Sequence, residues 1–349
     1  MAKKIAIFNH KGGVSKTTTS FNLGWAISKE GKKVILVDSD SQCNLTLSVL
    51  GLTGYNSFYE EENKNNIKEA LDPAFKSLPK LIEPIDCINI PKNENILLLP
   101  GHLDFSENEV QLGVSLQLSS AFGAMKNLPG AFSYLIEKMA EKYSAEYIIV
   151  DMNPSLSAIN QDILVSSDFF IVPTSPDFFS VMSIKSLSRV LPSWEKWAKN
   201  ARNLFSDATY PLPFNTPKFL GFTINDFNLS KGEAQESFRS IMNVISDVID
   251  TKLVPSLEKE DMLLPKILYQ KAYHNMAGDS DNIDYKSCYC LAEISNFNKL
   301  IALSNQKSIP IFELHLDNPK PGQLRTIKWF KFLFRRIAQR VIYLVEENV

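Results

Sequence analysis

The feature that most limits the fold of this chain is a short apolar run followed at once by a loop rich in glycine and lysine. The apolar run covers residues 5–8, the loop covers residues 9–18, and a helical pattern continues to about residue 29. A chain of phosphate groups needs converging backbone N–H donors, and it gains from the positive end of a helix dipole. This order of strand, loop and helix therefore predicts a phosphate-binding site at residues 9–18.

The loop reads Asn-His-Lys-Gly-Gly-Val-Ser-Lys-Thr-Thr, and its side chains suit a nucleotide with its metal ion. In a P-loop, Lys16 would reach the β- and γ-phosphates, and the Thr17 hydroxyl would ligate Mg²⁺. The strict P-loop pattern is not met, because His10 and Ser15 stand where that pattern has glycine. The competing interpretation is a chance Gly-Gly turn with flanking lysines, and the surrounding strand and helix count against it.

Strand-like apolar runs alternate with helical patterns along most of the chain. The expected strands are residues 5–9, 33–38, 96–100, 147–151, 169–173 and 219–225, and the expected helices include residues 131–143, 181–191 and 234–249. Continuous apolar strands separated by helices indicate a parallel sheet that is covered on both faces. The predicted fold class is α/β, a doubly wound and mostly parallel sheet with its ligand beyond the carboxyl ends of the strands.

Three segments fit this alternation poorly, and they are residues 53–80, 192–217 and 255–286. The first is polar and rich in Asn and Glu, the second contains four prolines, and the third has a mixed composition. We interpret all three as insertions or elaborations within one domain that covers residues 1–349.

The loop resembles the deviant Walker A motif, K-G-G-V-G-K-T-T, which is the signature of the ParA/MinD family of P-loop ATPases. The additional lysine of that motif corresponds to Lys11, and the match departs only at Ser15, where the family most often has glycine. The resemblance implies a P-loop fold that binds and hydrolyses ATP with Mg²⁺. The residues that it implies for binding the nucleotide are Lys11, Gly12, Gly13, Val14, Ser15, Lys16, Thr17 and Thr18.

Further segments resemble the same family in the same order along the chain. These segments are residues 37–44 (its D-x-D-P-Q-x-N), 98–101, 147–155 (its Walker B strand), 170–179 and 221–225 (the strand that ends near the nucleotide base). Ser41 replaces the usual proline of the first segment. The resemblance spans nearly the whole chain, is strongest before residue 225, and is closest to the ParA branch.

The resemblance assigns roles to three aspartates. It implies that Asp151 holds Mg²⁺ through its water shell, that Asp38 lies close to the metal, and that Asp40 positions the attacking water. Aspartates after strands often only cap turns, but two of them one residue apart after the second strand of a P-loop fold favour the functional interpretation. The implied catalytic residues are Lys11, Lys16 and Asp40, and the implied metal-binding residues are Thr17, Asp38 and Asp151.

The resemblance also implies roles for Lys11 and Asn225. The lysine that corresponds to Lys11 reaches across a dimer interface to the partner's phosphates, so the resemblance implies a homodimer that forms on ATP and separates after hydrolysis. The alternative for Lys11 is a solvated loop lysine. Asn225 is implied to touch the adenine edge, although an Asn at the end of a strand is equally suited to a turn.

Residues 323–349 predict a basic amphipathic helix. Its apolar face is formed by Ile327, Phe330, Phe334, Ile337, Val341 and Leu344, and its basic residues are Arg325, Lys328, Lys331, Arg335, Arg336 and Arg340, with a net charge of +4 for the segment. Such a helix can lie on a membrane, as the C-terminal helix of MinD does, or contact DNA phosphates. We favour packing of the apolar face on the sheet, with the basic face left to DNA. Trp329 and Phe332 fall off the stripe and keep the membrane interpretation open.

A second basic group lies on and after the helix that follows Pro176. Its members are Lys185, Arg189, Lys196, Lys199 and Arg202. The ParA branch binds DNA without sequence preference through scattered basic residues of this kind, and such binding falls steeply with salt. We therefore expect non-specific DNA as a partner. We expect no operator reading, because no helix-turn-helix pattern precedes the first strand.

Composition and cysteine spacing exclude other classes of protein. The net charge of −2 excludes a wholly basic nucleic-acid coat. The four cysteines, Cys43, Cys87, Cys288 and Cys290, are too few for a disulfide scaffold and lack the paired spacing of a metal site. No apolar run approaches the roughly 18 residues of a membrane span. We expect a cytoplasmic protein, located at the nucleoid if it binds DNA.

The leading hypothesis is a ParA-type partition ATPase that positions a plasmid or chromosome cargo. It would dimerise around ATP, bind DNA non-specifically, and hydrolyse ATP slowly until stimulated by a ParB-like adaptor. Two alternatives stay open. One is a MinD-like ATPase switch at the membrane, and the other is a related ATPase that serves a protein client in a mobile-element or defence system.

Overall fold

The computed structural model describes residues 1–61, 63–90, 92–117, 123–230, 233–274, 285–316 and 320–347. Its strands are β1 (Lys3–Ile7), β2 (Val34–Asp38), β3 (Ile88–Asn89), β4 (Ile96–Leu99), β5 (Tyr147–Asp151), β6 (Phe169–Thr174), β7 (Lys218–Phe227), β8 (Leu229–Ser230), β9 (Glu233–Ala234) and β10 (Cys290–Ser295). Its α-helices are α1 (Lys16–Lys29), α2 (Asn44–Glu60), α3 (Ile67–Phe75), α4 (Asn108–Gln117), α5 (Ala131–Tyr143), α6 (Ala158–Val165), α7 (Phe178–Leu204), α8 (Glu236–Val248), α9 (Val254–Glu258), α10 (Lys266–His274), α11 (Leu300–Lys307) and α12 (Pro321–Glu346).

Eight of the described strands form one sheet, in the order β10-β7-β6-β1-β5-β2-β4-β3. Neighbouring strands run parallel, except that β3 is antiparallel to β4. The first strand, β1, lies inside the sheet between β5 and β6, so the chain moves outwards from it to both sides. The predicted doubly wound, mostly parallel α/β sheet is confirmed. Its carboxyl edge beside β1 is where such folds bind ligands.

The central strands are buried on both faces, which explains why apolar residues run through them without alternation. Every residue of β2 and of β5 is buried. Helix α1 packs directly on the sheet, since a Cβ at Gly24 would lie 2.5 Å from the Leu36 side chain. The close approach of α1 holds the loop before it against the carboxyl edge.

The helix predicted at residues 181–191 is much longer than its sequence pattern indicated. It continues as α7 through Pro192 to Leu204. Buried residues recur at three- and four-residue steps on both sides of the proline, including Trp194 and Ala198. Packing of this continuous apolar face outweighs the hydrogen bond that a proline removes from a helix.

Two other elements also differ from the predictions. The helix predicted at residues 234–249 begins at Glu236, because Ala234 pairs with Leu229 in the hairpin of β8 and β9. Strand β10 was not predicted at all. It is a short run interrupted by Glu293, and it pairs in parallel with β7 at the edge of the sheet.

The three segments that fit the predicted alternation poorly contain helices where the structure describes them. Residues 53–80 hold the end of α2 and all of α3, residues 192–217 hold the second half of α7 and a loop, and residues 255–286 hold most of α9 and all of α10. Residues 62 and 275–284 lie outside the described residues. The interpretation of these segments as elaborations of one domain remains a prediction.

The segment predicted as a C-terminal amphipathic helix forms α12, and its apolar stripe lies inside the fold. All six stripe residues are buried, and none is more than 8% exposed. The apolar face is covered, but mainly by α1 and less by the sheet, on which the sequence predicted it to pack. Residues 348–349 lie outside the described residues. Within the described ranges, no helix has both the length and the apolar character needed to cross a membrane.

Two basic residues of α12 that were predicted to lie on its surface are buried instead. Arg336 is 8% exposed and Arg340 is 3% exposed. The Arg340 guanidinium donates to the backbone oxygens of Ala272, Cys290 and Leu291, at 3.2, 3.0 and 2.7 Å. A guanidinium offers several donors in one plane, and it therefore suits this junction between α10, β10 and α12. The exposed basic residues of the helix are Arg325, Lys328, Lys331 and Arg335.

Candidate functional site

The loop predicted to bind phosphate joins β1 to α1 at the carboxyl edge of the sheet. Gly13 (φ 70°) and Ser15 (φ 62°) both adopt left-handed backbone conformations. The serine accepts the conformation for which glycine is the usual residue, at a cost of about 1 kcal/mol. Gly12 lies against Pro154, and α1 begins at Lys16. The unpaired N–H groups of its first turn are therefore directed at the loop.

Asn225, near the end of β7, forms a hydrogen bond that holds this loop in place. Its Nδ2 donates to the backbone oxygen of Val14 at 2.9 Å, and both residues are buried. Its Oδ1 is buried without a hydrogen-bond partner in the described part of the chain. Asn225 is therefore an anchor of the loop rather than a turn residue, a role that the sequence pattern did not indicate.

A small pocket, partly open to solvent, lies beside the first turn of α1. It is lined by Thr18 and Thr19 from α1, by Asn225 from β7, and by Asn296 after β10. The adenine contact of Asn225 stays a prediction.

Lys16 is buried at the base of the loop, close to two carboxylates. It is 7% exposed, and its Nζ donates to the backbone oxygen of Lys11 at 3.2 Å. Burial lowers the pKa of Lys16, while the charges of Asp151 and Asp40 oppose this shift. The structure thus brings together the lysine and the two aspartates that the sequence assigned to one site.

Asp38 and Asp151 lie side by side at the ends of β2 and β5. Burial and the charge of Asp151 raise the pKa of Asp38 to about 7. The Asp38 carboxylate accepts hydrogen bonds from the backbone N and hydroxyl of Thr46, at 2.8 and 2.7 Å, and from the backbone N of Asp40, at 3.2 Å. Asp38 therefore shapes the loop that carries Asp40, whatever contact it makes with a metal.

Asp151 has the free oxygen that a metal site requires. Burial raises the pKa of Asp151 to about 6, against hydrogen bonds from Thr17 and Ser20 that lower it. Ser20 donates to Oδ1 at 2.9 Å, whereas Oδ2 is buried with no partner among the described residues. An orphaned carboxylate oxygen beside the Thr17 hydroxyl fits hydrated Mg²⁺. The described residues contain no group of three or more His, Cys, Asp or Glu side chains that could hold a metal alone.

Asp40 follows β2 and is held close to Lys16. It is 6% exposed, and its Oδ1 accepts the backbone N–H of Gln42 at 3.0 Å. Its charge acts on both Lys16 and Asp151. A carboxylate fixed in this way is available to accept a proton or a hydrogen bond from a water molecule near the phosphate loop.

Lys11 is not a solvated loop lysine in this structure. Its Nζ donates to the Ser175 hydroxyl and to Asp177 Oδ2, at 2.8 Å in both cases. The backbone N of Lys11 donates to Asn9 Oδ1 at 3.0 Å, and Asn9 Nδ2 donates to the Pro173 oxygen at 2.8 Å. These contacts join the loop to the end of β6 and the start of α7.

Several residues of the site were not found from the sequence. They are Asn9, Ser20, Thr46, Ser175 and Asp177. The sequence could have indicated Ser20 as a site residue, because it lies four residues after Lys16 on the same helix face. It could also have indicated Asp177, since an Asp before a helix is a typical N-cap. The sequence carries no such signal for Asn9, Thr46 and Ser175. Their partners are distant in the chain, or the residue itself lies within the loop pattern.

The second basic group is smaller than predicted. Arg202 is 5% exposed and forms two hydrogen bonds with the fully buried Glu195, at 2.7 and 3.1 Å. The prediction that Arg202 belongs to a surface patch is therefore wrong, because Arg202 is buried in an ion pair with the Glu195 carboxylate. Lys199 is paired with Glu260 at 2.9 Å. The exposed members of the group on α7 are Lys185, Arg189, Lys196 and the ion-paired Lys199.

Comparisons with known proteins agree with this geometry. The sequence family described as an AAA domain matches residues 2–203. The sporulation initiation inhibitor protein Soj of Bacillus subtilis is 30% identical over 187 residues, which are 54% of this chain and 64% of Soj. The chain spans between 51% and 64% of the length of the curated relatives that it matches.

Solved structures share the fold along nearly the whole chain. Cyanothece McdA in complex with ATP superposes with a TM-score of 0.63 at 16% identity, covering 97% of this chain and 96% of McdA. The pNOB8 ParA bound to nonspecific DNA superposes with a TM-score of 0.60 at 18% identity, covering 100% of both chains. At these identities the likeness establishes a common architecture.

Proposed function

Because its residues 2–203 carry the family match, the chain belongs to the ParA/MinD-type P-loop ATPases, and we propose that it is a ParA-type partition ATPase. In this proposal the protein binds ATP and Mg²⁺, dimerises around the nucleotide, and hydrolyses it slowly. It binds DNA without sequence preference in the dimeric state. A ParB-like adaptor links it to a plasmid or chromosome cargo and stimulates hydrolysis.

The observation that carries the proposal is the convergence of Lys16, Asp40 and Asp151 on the phosphate loop. These three charged side chains are each at most 7% exposed, and they act on one another electrostatically. Burying charges at one place is costly unless a ligand or a counter-charge compensates. The phosphates of ATP and a divalent cation supply that compensation.

The residues of this chain have separate tasks in the reaction. Lys16 neutralises charge on the β- and γ-phosphates, and the N–H groups of the loop and of α1 orient them. Thr17 and Asp151 would hold Mg²⁺, and the bound ion would neutralise negative charge that develops on the phosphates. Asp40 accepts a hydrogen bond from the attacking water and aligns it with the γ-phosphorus. Asp38 and Thr46 fix the loop on which Asp40 lies.

Dimerisation places Lys11 of each chain at the phosphates of the other. Lys11 lies at the rim of the site, with its side chain 17% exposed, whereas Lys16 lies beneath it. A second point charge delivered from the partner chain stabilises the transition state as an arginine finger does. The ParA/MinD resemblance of the loop supports this role.

DNA binding would rest on the exposed basic residues that remain after the buried ones are removed. On α7 these are Lys185, Arg189, Lys196 and Lys199, and on α12 they are Arg325, Lys328, Lys331 and Arg335. Lys199 is paired with Glu260 and Arg335 with Glu30. A dimer presents each residue twice, which allows a chain with a net charge of −2 to bind phosphates locally. The DNA-bound state of the structurally similar pNOB8 ParA supports the proposal. Cytoplasmic location at the nucleoid follows from it.

The membrane alternative is less well supported. The apolar stripe of α12 is packed against α1, so the helix would have to leave the fold in order to insert its stripe into lipid. The surface that α12 exposes to solvent is largely basic, together with Leu324 at 43% and Trp329 at 39% exposure. The protein-client alternative shares the ATPase site and differs only in lacking DNA binding.

ATP turnover of Lys16→Ala and Asp40→Ala tests the proposal. Each change is expected to lower turnover by at least about 100-fold, because Lys16→Ala removes the charge that neutralises the phosphates and Asp40→Ala removes the carboxylate that aligns the attacking water. Asp207→Ala, at an exposed ion pair with Lys126 away from the loop, is the matched control and should turn over ATP as the unchanged protein does. Unchanged turnover in Lys16→Ala or Asp40→Ala would contradict the assigned roles.

A further inference from the structure

Glu109, on α4, caps a helix to which it does not belong. Its two carboxylate oxygens accept the backbone N–H groups of Ala158 and Ile159, at 2.5 and 3.1 Å. These two residues begin α6, and the Ser157 hydroxyl accepts the N–H of Asn160, the third residue of that helix, at 3.2 Å. The unpaired N–H groups at a helix start carry partial positive charge, so a carboxylate from α4 stabilises them.

The start of α6 is also the end of the loop that follows Asp151. Asp151 is the last residue of β5, and residues 152–157 connect it to α6. Asn160 holds this loop from the helix side, because its Nδ2 donates to the backbone oxygens of Asn153 and Ser155, at 2.9 and 2.8 Å. The loop is therefore tied to α6, and a shift of the helix would move it.

The same loop lies against the phosphate loop. A Cβ at Gly12 would lie 4.0 Å from the Cβ of Pro154, so little more than a methyl group separates the two loops. Gly12 is next to Lys11, at the opposite end of the phosphate loop from Thr18 and its pocket. A displacement of α6 would therefore act on Asp151 and on the Gly12 end of the phosphate loop.

We propose that Glu109 is a positioning residue for ATP hydrolysis, which fixes Asp151 and residues 152–157 relative to Gly12 by capping α6. It acts through α6 rather than on the reacting atoms. The inference rests on the proposed function, in which Asp151 holds Mg²⁺ beside the phosphate loop. Alignment of reacting groups tolerates smaller displacements than binding does, so loss of the cap lowers the turnover number more than the affinity for ATP.

The test compares the turnover number, kcat, of Glu109→Gln and Glu109→Ala with their affinity for a fluorescent, non-hydrolysable ATP analogue. Gln keeps one acceptor oxygen and turns an NH₂ group towards the second N–H, so kcat should fall about threefold. Ala keeps neither acceptor, and kcat should fall at least about tenfold. The Kd for the analogue, measured with Mg²⁺, should change less than about twofold in both variants.

Asn66→Ala is the matched control for the loss of a cap. Its side chain accepts the backbone N–H of Glu69 at 3.1 Å and caps α3, which packs against α5 and not against the loop after Asp151. This variant should keep kcat within about twofold of the unchanged chain, although it loses a cap hydrogen bond of the same kind.

The outcomes separate this inference from the proposed function. If the unchanged chain does not hydrolyse ATP, the proposed function is wrong. If it does, the inference is overturned when Glu109→Ala keeps full kcat, or when its Kd for the analogue rises as much as its kcat falls. An equal fall of kcat in Asn66→Ala would also overturn it, since the loss of any cap would then have the same effect.

Hydrogen exchange without nucleotide tests the cap itself and needs no turnover. The amides of Ala158 and Ile159, followed by NMR, should exchange at least about tenfold faster in Glu109→Gln than in the unchanged chain. Equal exchange rates in the two proteins would mean that Glu109 does not hold the start of α6, and that result would overturn the inference whether or not the protein is an ATPase.

Discussion

Replacing Arg202 by methionine distinguishes a structural arginine from a DNA-binding one. Its guanidinium binds both oxygens of Glu195, at 2.7 and 3.1 Å, and its Nε donates to the Pro213 oxygen at 2.8 Å. Glu195 is fully buried, and among the described residues Arg202→Met leaves its carboxylate with the Thr216 hydroxyl alone, at 2.8 Å. Removing one partner of a buried ion pair costs about 3–5 kcal/mol, so the free energy of unfolding should fall by that amount.

Urea unfolding followed by circular dichroism measures this loss. Lys199→Met is the matched control on the same helix, since Lys199 is 42% exposed and its ion pair with Glu260 contributes no more than about 1 kcal/mol. DNA binding should keep its salt dependence in Arg202→Met. The reasoning is refuted if Arg202→Met is no less stable than Lys199→Met. It is also refuted if the slope of log K against log salt for DNA binding by Arg202→Met falls by the amount that corresponds to about one phosphate contact per chain.

Three further predictions follow from single contacts. Asn225→Ala should weaken binding of a fluorescent ATP analogue about tenfold, because it leaves the buried Val14 oxygen without its hydrogen bond and loosens the loop. An unchanged affinity in a titration would contradict this. Asp162→Asn should raise Tm at neutral pH. Burial raises the pKa of Asp162 well above its ordinary value, so the fold favours the protonated form and loses stability as pH rises above the unfolded value of about 4. Thermal unfolding between pH 4 and 8 checks this, and a variant with the same pH dependence as the unchanged chain would contradict it. Lys185→Ala combined with Arg189→Ala should lower the slope of log K against log salt for duplex DNA by about 4 for the dimer, which presents each residue twice, and should leave ATP turnover intact. An unchanged slope would remove α7 from the DNA surface.

Local features of the chain were predictable from the sequence. The strand, loop and helix that surround Lys16 are adjacent in sequence, and the residues at which β2 and β5 end place Asp38 and Asp151 together once the strands are parallel neighbours. Helix α5 has the predicted bounds, because its apolar spacing and its ends are encoded within the segment itself. In such cases local periodicity determines the element.

Features that depend on distant partners were not predictable. Arg202 and Arg340 look like surface residues in an amphipathic pattern, and they are buried because Glu195 and a group of backbone oxygens satisfy their guanidinium groups. Strand β10 forms because β7 offers it a free edge, which its own short sequence does not reveal. The partner of Lys11, Asp177, lies 166 residues along the chain.

The central claim is that each ATP site is completed by Lys11 of a second copy, and mixing two inactive variants tests it most directly. In a mixed dimer of Lys11→Ala and Asp40→Ala chains, one site has its own Asp40 and receives Lys11 from the other chain, whereas the second site lacks both. Neither variant alone should turn over ATP, and an equal mixture should recover up to about a quarter of the unchanged turnover, since half of the dimers are mixed and each has one intact site. A mixture that stays as inactive as the separate variants would contradict the claim.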